Sequence, residues 1–365
     1  MKYWFVGGGT GGHVYPALSV AEALQTLAPE AQLTWIGTTG GMEAGLVERE
    51  GIPFIGISAG GLHGVAFLNM VRNGWRLIQG TLEVYKIMRH ERPAAILTTG
   101  GYVSGPVAVV ARWLGIPLLV FLPDIEPAKS VKAAGRMATC VATSVEDSKK
   151  YFSGVLVETT GYPLGNRITK WTRQTARESL GFGEQDRVLL VFGGSSGARS
   201  INRALLPHVA EIVKIAHVIH VSGNLDWEEV AAEKKALPEE VSERYHAYAY
   251  LHEDMGAALA AADLIVSRAG AGVLGEFTYF GTPAVLVPYP HAWRYQRVNA
   301  EWLSERGAAV VIHDEELSNR IVPVLKELFE DEEELRRMSG ASRKLAKPEA
   351  AMRLARLLVS LGQGG

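Results

Sequence analysis

The chain has 365 residues, 47% of them hydrophobic and 21% charged, with a formal net charge of −2. This is globular composition at a length of about two domains, and the near-neutral balance excludes the broad basic field of a nucleic-acid binder. One cysteine, Cys140, excludes an intramolecular disulfide framework and any multi-cysteine metal cluster, and fits a reducing cytoplasm.

The first element is the apolar run Tyr3-Trp4-Phe5-Val6, followed by Gly7-Gly8-Gly9-Thr10-Gly11-Gly12-His13-Val14-Tyr15-Pro16 and an amphipathic run, Ala17 to Leu27. That order reads as strand, glycine turn, helix. Glycines permit positive φ and close approach, and a helix N-terminus after the turn presents free N–H groups to an anion such as phosphate. The pattern Gly7-x-Gly9-x-x-Gly12 also fits a dinucleotide-binding turn, which requires an acid at the end of the second strand. The second strand, Leu33-Thr34-Trp35-Ile36, ends instead in Gly37-Thr38-Thr39-Gly40. A third reading takes the glycines as packing devices only. Met1-Lys2 leads directly into the first strand, so no signal peptide is expected, and no apolar run is long enough to span a membrane.

Strand candidates continue at Leu33–Gly37, Ile52–Ile57, Ala94–Thr98, Leu118–Leu122, Cys140–Thr143 and Val155–Thr159, separated mostly by helix-length segments. This alternation predicts a parallel sheet covered on both faces. Gly161-Tyr162-Pro163-Leu164-Gly165-Asn166 interrupts it and marks a domain boundary. The pattern then restarts: Arg187–Phe192 runs into Gly193-Gly194-Ser195-Ser196-Gly197-Ala198, and Ser200–Val213 reads as a helix. Further strands are expected at His217–Val221, Ala247–Tyr250, Leu264–Ser267, Ala284–Val287 and Ala309–Ile312. A last helix, Ala350 to Leu361, follows Lys347-Pro348. The expected organisation is a domain over 1–161, a second over 162–345, and a C-terminal helix in 346–365 that packs back on the first. Ligands of open parallel sheets bind beyond the carboxyl ends of the strands, where both glycine turns lie, so the two domains are expected to bind a phosphate-bearing molecule across a cleft.

Several motifs resemble one family. Gly8-Gly9-Thr10-Gly11-Gly12-His13-Val14-Tyr15-Pro16-Ala17-Leu18 is very similar to the opening motif of the MurG family, the N-acetylglucosaminyltransferases that make lipid II in peptidoglycan synthesis. The likeness continues in order through Gly37-Thr38 with Met42-Glu43, Gly100-Gly101-Tyr102-Val103-Ser104-Gly105-Pro106 and Gly115-Ile116-Pro117. It then runs through Gly193 to Arg199, Asp254-Met255, Ser267-Arg268-Ala269-Gly270-Ala271 to Glu276, Gly281-Thr282-Pro283-Ala284 and Gln296 to Ala300. The resemblance implies the α/β GT-B fold, two Rossmann-like parallel-sheet domains facing across a cleft. It implies inverting transfer from UDP-N-acetylglucosamine (UDP-GlcNAc), with no cofactor besides that substrate and no essential metal.

By that resemblance Glu276 takes the ribose hydroxyls of UDP, since a carboxylate can accept from a vicinal diol. Ser195 serves the diphosphate, and Arg268, Ala271 and Gly272 line the uracil and phosphate pocket. Gln296 and Asn299, three apart on one side of a helix start, read the sugar hydroxyls. Thr10, Gly11 and Gly12 complete the donor set, and Gly101, Tyr102 and Ser104 belong to the acceptor. His13 is the candidate base, kept neutral by a helix N-terminus. Its alternative is a histidine that only shapes the loop. Charge on the departing UDP would be met by turn amides, with Arg268 near.

Three places depart from the family pattern. Its usual His-Glu-Gln-Asn is replaced by Phe121-Leu122-Pro123-Asp124, its Gly-Asn-Pro-Val-Arg by Gly161-Tyr162-Pro163-Leu164-Gly165 with Arg167 two residues late, and its Gln-Gln pair by Tyr295-Gln296. The first two fall mainly in the acceptor half. Asp124 is therefore expected at the acceptor, as base alone or through His13; Asp124-Ile125-Glu126 as a metal-binding acidic pair is the weaker reading. Leu62, Val65, Phe67, Leu68, Met70, Val71, Trp75 and Leu77 interleave with Arg72 and Arg76, and Lys86 and Arg89 lie beyond. This stretch suits either peripheral docking on anionic inner-leaflet lipids or an ordinary packed helix pair. The expected activity is transfer of N-acetylglucosamine to undecaprenyl-linked muramyl-pentapeptide at the cytoplasmic face of the membrane. The alternatives are another acceptor, a UDP-sugar epimerase of the same fold, or a nucleotide-binding protein without turnover.

Overall fold

The computed structural model describes residues 1–59, 67–194, 197–251, 254–291 and 294–364, with backbone alone for 67–74. The chain forms two compact units, Met1–Gly165 with Lys347–Gly365, and Asn166–Ala346.

The first unit holds strands β1 Lys2–Val6, β2 Gln32–Thr38, β3 Phe54–Ile57, β4 Ala95–Thr98, β5 Leu118–Leu122, β6 Cys140–Thr143 and β7 Leu156–Thr159. Its helices are α1 Gly11–Leu27, α2 Glu43–Arg49, α3 Phe67–Glu91, α4 Ser104–Leu114 and α5 Lys129–Gly135. The sheet runs β3-β2-β1-β4-β5-β6-β7 with every pairing parallel. All five residues of β5 are buried, as expected for a strand covered on both faces. In α1 the residues Val14, Ala17, Ala21 and Leu24 are buried, a helical stripe laid on the sheet.

The second unit holds β8 Val188–Phe192, β9 His217–Val221, β10 Tyr245–Tyr248, β11 Leu264–Ser267, β12 Ala284–Leu286 and β13 Ala309–Val311. Its helices are α6 Asn166–Thr169, α7 Arg173–Leu180, α8 Arg199–Leu205, α9 Val209–Ile212, α10 Trp227–Ala236, α11 Glu239–Ser242, α12 Met255–Ala261, α13 Glu276–Phe280, α14 Tyr295–Glu305, α15 Leu317–Glu330 and α16 Glu332–Lys344. The order β10-β9-β8-β11-β12-β13 is again wholly parallel. These are the two Rossmann-like sheets expected from the alternation. The last helix, α17 Ala350–Gln363, returns to the first unit and packs on α1 through the buried stripe Ala351, Leu354, Ala355 and Leu358.

Three sequence expectations shift. The helix over Ser200–Val213 is split, because Pro207 has no N–H to continue α8; a 3-10 turn, Leu206–His208, intervenes before α9. The strand expected at Ala247–Tyr250 is β10, which starts two residues earlier, where Tyr245 pairs with Val218. The boundary lies at Gly165 rather than at 161: a Cβ on Gly165 would sit 2.8 Å from Glu22 and 3.1 Å from Ser19, both on α1.

Inside the second unit a buried polar chain ties β9 to β10 and α8. Asn202 Nδ2 donates to the Ser222 carbonyl and to Asp226 Oδ2. Its Oδ1 therefore accepts from His220 Nε2 at 2.9 Å, and His220 Nδ1 accepts from the Tyr245 hydroxyl at 2.7 Å. Burial pushes the His220 pKa down to about 4 from 6.5. The unfolded chain takes up this proton as pH falls below 6.5, whereas the folded chain resists until about 4. Stability from this group is intact above pH 6.5 and lost on the way down, by about 3 kcal/mol at pH 4. Urea melts at pH 7 and pH 4 are expected to show that loss, and a His220→Gln protein is expected to lack this share of it; equal pH slopes would refute the assignment.

Candidate functional site

In each unit the sheet order reverses direction at one place, between β1 and β4 and between β8 and β11. Such switch points open a crevice at the carboxyl ends of the strands. The glycine turns follow β1 and β8, so both stand at these points.

The first turn is braced from several sides. The Trp35 indole donates to the Gly7 carbonyl at 3.0 Å, and the Thr99 hydroxyl to the His13 carbonyl at 2.6 Å. Thr10 caps α1 in extended conformation, and its carbonyl receives the N–H groups of His13 and Val14. Gly11 is buried against the Tyr15 ring, while Thr10 and Gly12 are exposed. Gly9 has φ +86°, which favours glycine. Gly101 has φ +90°, and a Cβ there would lie 2.7 Å from the Gly8 carbonyl oxygen, so only glycine lets the loop after β4 rest on the loop after β1.

His13, in the first turn of α1, sets Nδ1 3.3 Å from the Gly8 carbonyl and 3.5 Å from the Thr10 hydroxyl. Gly100 leaves the other face open to the ring: a Cβ there would stand 3.0 Å from Nε2. Its pKa is lowered as expected, but chiefly by burial; the charge of Asp124 and the Gly8 hydrogen bond pull it upward. Asp124, just past β5, thus joins His13 in one electrostatic group. Tyr102 is 57% exposed and available to a ligand. Ser104 is not: it is fully buried and its hydroxyl is shared with Thr98 at 2.7 Å, so it stitches α4 to β4 instead of serving an acceptor.

The second unit places Arg268, Ala271, Gly272 and Glu276 together after β11. Ala271 and Gly272 form a 3-10 turn, and Glu276 at the head of α13 folds back so that a Cβ on Gly272 would be 3.1 Å from Oε2. Burial pushes the Glu276 carboxyl up to about 7, against the opposing pull of Arg167. Arg268, expected at the uracil and phosphate pocket, is engaged by protein partners. Its guanidinium is held by Asp314 at 2.5 Å, donates to the Ser200 hydroxyl at 2.7 Å and the Val287 carbonyl at 3.1 Å, and lies over the Tyr289 ring. With its charge matched and its side chain 9% exposed, it braces the loops.

Asn299 likewise turns inward. It is fully buried on the face of α14 that holds Ala300 and Leu303, and donates to the Ala269 carbonyl at 3.1 Å. Gln296 is half-buried and accepts from the Tyr289 N–H at 2.9 Å. The pair shapes the loops rather than presenting two amides side by side. Ser195 lies outside the described residues. Around it, Gly194 and Gly197 have φ of +86° and +77°, and a Cβ on Gly197 would collide with the Ser222 carbonyl. Sequence reasoning missed Asp314, Ser200 and Asp226; the last holds Arg199 at 2.8 Å. It quoted Glu43 without a role, although Glu43 is wholly buried beneath the first turn.

Residues 3–143 match the N-terminal domain of glycosyltransferase family 28, and residues 188–354 its C-terminal domain. A protein of Roseiflexus sp. (strain RS-1) named UDP-N-acetylglucosamine--N-acetylmuramyl-(pentapeptide) pyrophosphoryl-undecaprenol N-acetylglucosamine transferase is 38% identical, covering 99% of this chain and 95% of that one. A protein of the same name from Symbiobacterium thermophilum is 37% identical, covering 100% and 97%. The crystal structure of Acinetobacter baumannii MurG superposes with a TM-score of 0.77 at 27% identity, over 98% of this chain and 99% of that one. The UDP-GlcNAc 2-epimerase of Neisseria meningitidis, bound to UDP-GlcNAc, shares the fold at a TM-score of 0.68 and 13% identity, over 99% of this chain and 100% of that one. The two sheets, their glycine turns and the full-length likeness lead to one assignment: the chain belongs to the MurG family of glycosyltransferases, within glycosyltransferase family 28.

Proposed function

We propose that this chain transfers N-acetylglucosamine from UDP-GlcNAc to undecaprenyl-linked N-acetylmuramyl-pentapeptide. The carrying observation is likeness over nearly the whole length, in both units, to proteins named for that transfer. The second unit takes the donor, with Glu276 on the ribose and the amides around Gly194, Gly197, Ala271 and Gly272 toward uracil and diphosphate. The first unit takes the acceptor near Gly101, Tyr102 and Asp124. His13 Nε2 removes the acceptor hydroxyl proton. The freed oxygen attacks the anomeric carbon, the bond from that carbon to the β-phosphate oxygen breaks, and UDP leaves with the electron pair. Attack opposite the leaving group inverts the anomeric configuration. Amides of the glycine turns meet the charge that develops on the β-phosphate. No step calls on a metal or other cofactor.

UDP release from UDP-GlcNAc, measured with and without the lipid-linked acceptor in detergent, tests this reading. Acceptor-dependent release with a disaccharide product supports it. Donor binding without acceptor-dependent release overturns the acceptor assignment and points to the altered segment around Asp124.

Peripheral docking on anionic lipids at the cytoplasmic face belongs to the same reading. Among the described residues no helix is long and apolar enough to cross a membrane. Its support is an exposed apolar stripe on α3, Trp75 at 62%, Ile78 at 53% and Leu82 at 55%, with Trp113 exposed on the neighbouring α4. Arg76 and Arg112 are exposed beside them. Leu77 is half-buried and lies off the stripe. Leu62 and Val65, and the side chains of Phe67, Leu68, Met70, Val71 and Arg72, lie outside the described residues. Each large apolar side chain is worth roughly 1.5–3 kcal/mol when removed from water. Replacing Trp75, Ile78 and Leu82 by serine is therefore expected to weaken binding to phosphatidylglycerol vesicles by at least ~100-fold. Unchanged vesicle sedimentation would refute docking through α3.

A further inference from the structure

Beneath the first glycine turn lies an acid that the proposed mechanism does not use. Glu43 opens α2, and its side chain is wholly buried. Oε1 accepts from the Thr38 N–H at 2.8 Å and Oε2 from the Gly9 N–H at 3.3 Å. Two glycines close over the carboxylate: a Cβ on Gly8 or on Gly41 would collide with Oε1.

The Gly9 N–H and the Gly8 carbonyl are two ends of one planar peptide group, pointing in opposite directions. One end meets Glu43. The other faces His13 Nδ1 at 3.3 Å. A carbonyl only accepts, so this contact assigns the ring hydrogen to Nδ1 and leaves the Nε2 lone pair for substrate. A carboxylate hydrogen-bonded to the N–H of an amide polarises it and makes its oxygen a better acceptor. Hydrogen bonds in series strengthen one another in this way. The Thr99 hydroxyl holds the His13 carbonyl on the same loop, which keeps the ring aligned with the peptide. Asp124, past β5, is the charged group that acts on the ring directly.

We infer that Glu43 is a positioning residue for the transfer reaction: through the Gly8–Gly9 peptide it holds His13 in the Nδ1–H form and stabilises the imidazolium that forms when Nε2 takes the acceptor proton. The arrangement divides labour as in hydrolases whose buried acid orients a histidine base, with a peptide group interposed between acid and ring. The inference rests on His13 acting as base.

The test uses the full-length protein in three measurements. Ring-nitrogen NMR of ¹⁵N-histidine-labelled wild type reports the tautomer directly, and Nδ1–H is expected for His13; an Nε2–H ring would overturn the relay without any variant having to fold. Glu43→Gln keeps the shape but cannot accept at both ends. Its kcat is expected to drop by ~10-fold or more, as for other residues that orient a reacting group from behind, with KM for UDP-GlcNAc little changed. The acid limb of its kcat–pH profile is expected to move to lower pH, because the imidazolium has lost support. A limb that coincides with wild type would reduce Glu43 to a structural brace and overturn the relay. His13→Ala decides the base assignment separately: wild-type turnover there would overturn that assignment, and the relay with it, whatever Glu43→Gln does.

Discussion

Replacing His13 by alanine is expected to lower turnover by about 10²–10⁴-fold, the usual contribution of a positioned general base. The second unit is untouched by the change, so UDP binding, read by calorimetry, is expected to stay at the wild-type value. The pH profile carries the same assignment. Burial holds the imidazole pKa below its ordinary 6.5, so the ring remains neutral and basic at neutral pH, and activity is lost only on the acid side as the ring takes up a proton. Asp124 opposes that depression. Asp124→Asn therefore moves the acid limb of kcat further down in pH. Full turnover in His13→Ala would remove His13 as base, and an unmoved limb in Asp124→Asn would separate Asp124 from the ring.

Donor affinity is expected to depend on pH through Glu276. Only the ionised carboxylate can accept from both ribose hydroxyls, and burial places its pKa at about 7. About a tenth of the free enzyme is ionised at pH 6 and nearly all at pH 8, so UDP-GlcNAc binding tightens by about tenfold over that interval. Glu276→Gln flattens the profile. Glu276→Ala weakens donor binding by roughly 30-fold, the worth of about 2 kcal/mol for a hydrogen bond to a charged group. Without donor the same carboxyl works against the fold. The unfolded chain releases its proton near pH 4.5 and the folded chain near 7, so stability falls as pH rises through that window. Ligand hydroxyls offset the loss, as expected of a group kept for binding. If the wild type and Glu276→Gln bind UDP-GlcNAc equally at pH 8, the ribose assignment fails.

The strands were the most legible part of the sequence. β5, β6, β9 and β11 have the bounds expected from the sequence, because a doubly covered parallel strand shows as a mostly apolar segment between turn residues. Glycine turns after β1 and β8 were legible for the same reason, as interruptions no strand or helix tolerates. Side-chain direction was not. Arg268, Asn299 and Ser104 carry the right chemistry at the right places in the chain, yet each turns inward to a partner on another segment: Asp314, Ala269 and Thr98. Spacing on a helix says which residues share a face, and only the packed neighbour decides whether that face meets ligand or core. Glu43 shows the converse. An acid at the head of a short helix looks like a solvated residue until the fold brings Gly8 and Gly9 onto it.

The return of α17 to α1 has a consequence for how the protein comes into being. The first unit is assembled from both ends of the described chain, with the 181 residues from Asn166 to Ala346 synthesised in between. At about 5–20 residues per second, a ribosome needs roughly 10–40 s to traverse that insert. During that time the face of α1 that α17 will cover stays bare. The second unit is continuous, so it is free to complete itself first, although it is made later. The half that carries His13 can therefore be finished only after the other half has been made.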